Sequence, residues 1–154
     1  MALKIFNKSE KEEIRKKLYE QFGIKEVEGL IIRIGKERLF FYQGSLTQEE
    51  IRKIEETIPI ERIGVYFGKI QNDKIRLSIE GSHIFKNQIT KNTFELSEKD
   101  ADLWMHGSEL LIKTGRRDFL IMKHGEDILG SGKASAEKIT NFIPKSRRLK
   151  FKNK

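Results

Sequence analysis

Apolar residues in the first half of the chain occur at helical spacing, then in short unbroken runs, and this alternation repeats. Ile14, Leu18 and Phe22 follow Ser9-Glu10-Lys11-Glu12. That tetrad reads as a capping box, in which a serine side chain and a glutamate side chain satisfy each other's backbone N–H groups. Gly23 supplies the stop, so the pattern predicts an amphipathic helix, and its interleaved Lys and Glu residues form a solvated face. The runs at 29–34 and 38–42 flank Gly35-Lys36-Glu37 and predict a hairpin. Thr47-Gln48-Glu49-Glu50 is a second capping box, opening a helix with Ile51, Ile54 and Ile58 on one face. Pro59, which cannot donate a helical hydrogen bond, ends it. A second hairpin is predicted from 63–70 and 74–79 around Gln71-Asn72-Asp73. Arg76 and Ser78 alternate there with Ile75, Leu77 and Ile79, which gives that strand a polar face. A short turn or helix at 81–85 and a polar link at 86–92 follow.

The second half is patterned differently. Phe94 and Leu96 predict a short strand, and Ser97 with Asp100 a helix start. Ala101, Leu103, Trp104 and Met105 are the apolar residues of that helix, and Gly107 ends it. Three strands are predicted at 109–113, 119–123 and 127–135, with Arg116-Arg117 and His124-Gly125 in the turns between them. The change of pattern places a boundary near residue 90, between an α/β unit over 1–90 and a mostly β unit over 91–154. The expected class is therefore α+β.

Composition narrows the setting. A chain of 154 residues that is 37% hydrophobic and has ten Phe can bury a core, unlike a disordered chain. No run approaches the roughly 18 apolar residues of a membrane span. The first residues lack the apolar core and cleavage site of a secretory signal. There is no cysteine, hence no disulfide, thiolate metal site or cysteine nucleophile, and a reducing cytoplasm is the expected setting.

Charge changes the picture most. In the segment 133–154, eight cations (Lys133, Lys138, Lys145, Arg147, Arg148, Lys150, Lys152 and Lys154) face the single acid Glu137, which accounts for +7 of the formal net charge of +8. Charge concentrated at one end makes a local field suited to a polyanion. The same segment contains Ile139, Phe142, Ile143, Leu149 and Phe151, apolar anchors that a purely solvated tail has no use for. Paired arginines hold phosphate bidentately, a contact that positions a nucleic-acid backbone without reading its sequence.

Other constellations carry less. Gly130-Ser131-Gly132-Lys133 has the glycines of a phosphate loop without its spacing: Asp127 stands where the first glycine is required, and Ala134 follows the lysine. A strand with a sharp bend or close backbone approach accounts for it better. His83, His106 and His124 have no metal-ligand spacing. The carboxylates are interleaved with Lys and Arg, so no acid/base pair stands out. Trp104 reads as a core residue. No enzyme site, metal or cofactor is predicted.

Several motifs are similar to known RNA-binding families. Phe94 through Lys113, with Trp104-Met105-His106-Gly107-Ser108-Glu109-Leu110-Leu111, resembles the opening of a PUA domain, a module named after pseudouridine synthase and archaeosine transglycosylase. Phe119-Leu120-Ile121-Met122-Lys123 and Asp127-Ile128-Leu129-Gly130-Ser131-Gly132-Lys133-Ala134 look like its closing strands, with their Leu-Gly-x-Gly signature. Upstream, Gly64-Val65-Tyr66-Phe67-Gly68-Lys69 and Ile75-Arg76-Leu77-Ser78-Ile79 resemble the pre-PUA region of the Nip-seven ribosome-biogenesis family. Asn141-Phe142-Ile143-Pro144-Lys145-Ser146-Arg147-Arg148-Leu149 is instead similar to the tails of PUA-like domains attached to Nop-two/Sun-type rRNA cytosine methyltransferases.

The resemblance implies an N-terminal α/β pre-PUA-like domain followed by a C-terminal PUA-like β pseudo-barrel that binds RNA. It points to Gly107 and Lys113 beside the helix and to Gly132 and Lys133 on a closing strand. Lys138, Lys145, Arg147, Arg148, Lys150 and Lys152 are the expected phosphate contacts, and Asn141 is either an RNA hydrogen-bonding group or a turn residue. Methyl transfer is not implied, because those enzymes use catalytic cysteines and a cofactor-binding domain. The expected function is non-catalytic binding of structured RNA: rRNA during ribosome biogenesis or modification, with tRNA as the other candidate. The partner proteins implied are an RNA methyltransferase or another ribosome-assembly protein. The alternative is a protein-interaction adaptor recruiting a methyltransferase or exosome-type partner.

Overall fold

A computed structural model describes residues 2–151. The elements in order are β1 (Leu3–Ile5), α1 (Lys8–Phe22), β2 (Leu30–Ile34), β3 (Arg38–Tyr42), α2 (Gln48–Thr57), β4 (Val65–Gln71), β5 (Lys74–Leu77), α3 (Ile79–Ile84), β6 (Thr93–Glu95), α4 (Glu98–Met105), β7 (Phe119–His124), β8 (Asp127–Ala134) and β9 (Ile139–Asn141). A 3-10 turn at Lys145–Arg147 follows. No helix among the described residues is long and apolar enough to cross a membrane.

The strands form two sheets. Strands β1 to β5 make an antiparallel meander in chain order. The second sheet has the order β6-β7-β8-β9, with β6 parallel to β7 and the other pairs antiparallel. The central strands β2, β3 and β7 are buried on both faces, which explains why they read as unbroken apolar runs, whereas β5 keeps Arg76 on an open face. Ile31, Leu39 and Phe41 of the first sheet pack with Ile14, Leu18 and Phe22 of α1 and with Phe119, Ile121 and Ile128 of the second sheet. On the opposite face of the first sheet, Ile32, Ile34 and Phe40 meet Ile51 of α2. On the opposite face of the second, Leu120 and Met122 meet Trp104 and Ala101 of α4. The two sheets, separate in sequence, therefore share a central core.

Local chemistry sets the element ends. Gly23 ends α1 in the left-handed region, at φ 81°. Asn72 and Asp73, with φ of 53° and 62°, make the tight β4–β5 turn that matches strand twist. Four expectations need correction. The capping box of α1 is formed by Asn7 and Glu10, not Ser9 and Glu12: Asn7 Oδ1 accepts from Glu10 N–H at 2.8 Å and Glu10 Oε1 accepts from Asn7 N–H at 3.0 Å. The cause is β1, whose three residues are too short to show a period and bring the chain into the helix early. Residues 78 and 79 leave the predicted strand, since Ser78 caps α3 by accepting from Gly81 N–H at 2.9 Å.

The run at 109–113 is not a strand. Only Leu110 bridges Ile139, and an Ile112 N–H to Leu110 C=O bond turns the chain away, leaving Leu111 exposed. The fourth strand of the second sheet is instead β9 at Ile139–Asn141, which the sequence pattern did not place, with one extra bridge from Leu110. On α2 only Ile51 is buried; Ile54, and Ile58 just after the helix, are exposed.

Candidate nucleic-acid interface

The basic C-terminal segment is folded onto the second sheet. After β9, Ile143 enters the core beneath α4, and Pro144 opens the 3-10 turn. Leu149 N–H then donates to the Met105 carbonyl at 2.8 Å, and the Phe151 ring stacks on His106 with centroids 4.1 Å apart. The segment forms a strap across the C-terminal end of α4. Leu149 anchors it through its backbone; its side chain is half exposed.

The predicted phosphate contacts separate into two groups. Around the loop between α4 and β7, each cation already has a partner. Lys113 pairs with Glu137 at 3.6 Å and Lys138 with Glu109 at 2.9 Å. Lys133 Nζ donates to the Arg117 carbonyl at 2.7 Å and lies 5.2 Å from the centroid of the Phe119 ring. On the strap, the side chains of Lys145 and Lys150 are exposed and have no hydrogen bond or ion pair among the described residues. Arg147 Nη1 reaches Glu80 Oε1 at 2.5 Å. Arg148 Nε donates to the Ile143 carbonyl at 2.9 Å, and its side chain lies over Gly107. Gly107 has φ 96°, and a Cβ there would stand 2.7 Å from Arg148 Nε. Lys152 lies outside the described residues.

Two predicted contacts have interior roles instead. Gly132 is buried, and a Cβ on it would come 2.7 Å from Ile139 Cγ2 and 2.8 Å from the Trp104 ring. Asn141 is also buried: its Nδ2 donates to the Trp104 and Ser108 carbonyls at 2.8 and 3.0 Å, and its Oδ1 accepts from Ile143 N–H at 2.8 Å. Its amide is therefore committed to locking the strap onto α4. The Leu-Gly-x-Gly signature is a packing device: Gly130, at φ 90°, bends β8, and Gly132 admits the Trp104 ring, whose Nε1 donates to the Leu129 carbonyl at 2.7 Å. His124 and His106 each place Nδ1 against a backbone carbonyl, of Leu96 and Asp102, and serve local structure.

A concave surface joins the two halves beside the strap. A cleft of about 260 Å³ is lined by Arg62, Tyr66, Arg76, Phe142 and Arg147, with Glu80 on its wall. The Arg76 guanidinium sits 4.2 Å over the Phe142 ring, a cation–π contact. Burial pushes the Tyr66 hydroxyl above its ordinary range, against the opposing charges of Arg76 and Arg38. Burial also acts to raise the Glu80 carboxyl, but the Arg147 hydrogen bond, a backbone bond and the charges of Arg147 and Arg62 outweigh it, and Glu80 is held below its ordinary range. Charge counting near the C-terminus missed Arg62, Arg76 and Tyr66. The one visible signal was the polar alternation of Arg76 on β5.

Residues 91–149 match a family model described as the methyltransferase RsmF PUA domain. No curated protein matches the chain. The match covers the second sheet, α4 and the strap to Leu149, and makes this part of the chain similar to the PUA domains of Sun-type methyltransferases. PUA domains are RNA-binding modules, and the match bears on residues 91–149, which include the strap to Leu149 but not Arg62, Tyr66, Arg76 or Glu80 of the cleft.

Proposed function

We propose that this protein binds structured RNA without transforming it, with rRNA in ribosome assembly or modification as the principal target and tRNA as the other candidate. The observation that carries the proposal is the coincidence of the PUA match with the basic strap, which presents Lys145 and Arg147 within the matched residues and Lys150 directly after them. Such cations hold a phosphate backbone, and in double-stranded RNA they read shape; reading sequence needs unpaired bases. The resemblance of 64–79 to a pre-PUA region supports the ribosome-biogenesis setting. The absence of cysteine supports a non-catalytic role, because the cysteine chemistry of the Nop-two/Sun-type enzymes is unavailable, and agrees with a cytoplasmic location. Crosslinking in cells followed by sequencing of the attached RNA tests this reading. Enrichment of rRNA is the expected result, and recovery of RNA at background level would refute it.

A second reading is favoured by the exposed Ile54 of α2 and Ile58 just after it: an adaptor that recruits a methyltransferase or exosome-type partner through the N-terminal half. A pull-down with and without nuclease separates the two readings, since an adaptor keeps its partner after digestion.

A further inference from the structure

The cleft beside the strap is built from three segments distant in sequence. Arg62 comes from the link after α2, Arg76 from β5, and Arg147 from the 3-10 turn. Three guanidinium groups there face one carboxylate, Glu80. Positive charge in a concave site with apolar walls focuses its field on an incoming anion. Two of the three arginines are already oriented: Arg76 by the ring of Phe142 at 4.2 Å, and Arg147 by Glu80 at 2.5 Å. Arg62 is exposed and has no hydrogen-bonded partner among the described residues. The guanidinium fork matches a phosphate or a carboxylate, and in this structure the Glu80 carboxylate holds one arm of the Arg147 fork, Nη1.

We infer that this cleft is a second phosphate-binding subsite for the RNA, in which Glu80 stands in for a phosphodiester and holds Arg147 until the RNA backbone displaces it. The inference rests on the RNA-binding reading above and adds to it a site formed jointly by both halves of the chain. A phosphodiester is favoured over an isolated small anion because Pro144, Ser146 and Arg147 carry the cleft wall directly into the strap, where the exposed Lys145 and Lys150 can hold the next phosphates. The arrangement makes Glu80 a brake. Its carboxylate competes with the RNA for Arg147 and repels the backbone as it approaches.

Opposite signs are therefore expected from two neighbouring substitutions. Binding of a fluorescently labelled rRNA hairpin is measured by anisotropy across a salt series for wild type, Glu80→Gln, Arg62→Gln and a Lys145/Arg147/Arg148 triple glutamine variant. Glu80→Gln should tighten binding about two- to fivefold at low salt, the scale of releasing one exposed ion pair. Arg62→Gln should weaken binding and lower the salt slope by about one. Arg62 is exposed and lies outside the core, so loss of fold does not explain a change there. Unchanged or weaker binding by Glu80→Gln, or an unchanged slope for Arg62→Gln, overturns the cleft inference. If the triple variant alone loses affinity, RNA binding by the strap stands without the cleft. If wild type fails to bind at low salt, the underlying reading fails too.

Discussion

Ser131 Oγ donates to the Leu77 carbonyl at 2.7 Å, a buried bond between residues 54 apart in sequence. It ties β8 of the second sheet to the end of β5 of the first, and both residues line the cleft. The bond therefore fixes the spacing between the cleft walls contributed by the two halves.

Ser131→Ala removes this tie at almost constant volume. A buried hydrogen bond of this kind contributes about 1–2 kcal/mol, and the urea midpoint should fall accordingly, with an unchanged slope. A midpoint equal to wild type would show that this bond does not help to hold the two sheets together.

Asn141 distinguishes an RNA contact from a structural lock. Asn141→Ala strips partners from the Trp104 and Ser108 carbonyls and the Ile143 N–H in a buried site. The expected cost is about 2–4 kcal/mol, from the Ser108 carbonyl and Ile143 N–H left unsatisfied and the bond lost at the Trp104 carbonyl, which keeps the Gly107 N–H. Calorimetry should show a marked drop in Tm. At temperatures where the variant is folded, its salt slope for RNA should match that of wild type, because no phosphate contact has been removed.

Gly132→Ala tests the signature on β8. The new methyl group meets Ile139 and the Trp104 ring, and overpacking of this kind costs about 1–3 kcal/mol. The change should appear in thermal melts and in the near-ultraviolet signal of Trp104. An RNA-contacting glycine would instead give a normal melt and weaker binding.

The Glu80–Arg147 pair gives the strap a pH dependence. The folded carboxyl of Glu80 lies below its unfolded value, through Arg147 acting against burial. A depressed carboxyl contributes stability above the unfolded pKa and loses it as pH falls through the folded one. Wild type should therefore exceed Glu80→Gln in stability at neutral pH, and the gap should close in acid below the ordinary glutamate range. Both side chains are partly exposed, so the gap should be small and should also shrink with salt. Paired urea titrations at neutral pH and near pH 3 read it; a gap that widens in acid contradicts the assignment.

Particular residues show what the sequence made legible. The runs around Ile31, Phe40 and Leu120 marked strands, and their continuity carried further information: each strand is covered on both faces. Thr47 and Ser97 marked their helix starts correctly, because a side-chain cap is a local event. At α1, Asn7 and Ser9 are both good caps, and only the tertiary position of β1 decides between them. Residues 109–113 have a strand's composition, yet an edge strand forms only where a neighbour is available, and Ile139 meets Leu110 alone. The strap was legible as charge with apolar anchors. The cleft was not, because Arg76 finds Phe142, and Arg147 finds Glu80, across the shared core. Asn141 could be read either as a contact or as a turn; its three hydrogen bonds make it a lock.

The most direct test of RNA binding by the strap is the salt dependence of affinity for an rRNA fragment, comparing wild type with the variant in which Lys145, Arg147 and Arg148 are neutralised. Binding at low salt that falls steeply as salt rises, with a slope reduced by about two to three units in the variant, is the predicted result. No binding at low salt, or the same affinity and slope in the variant, would contradict it.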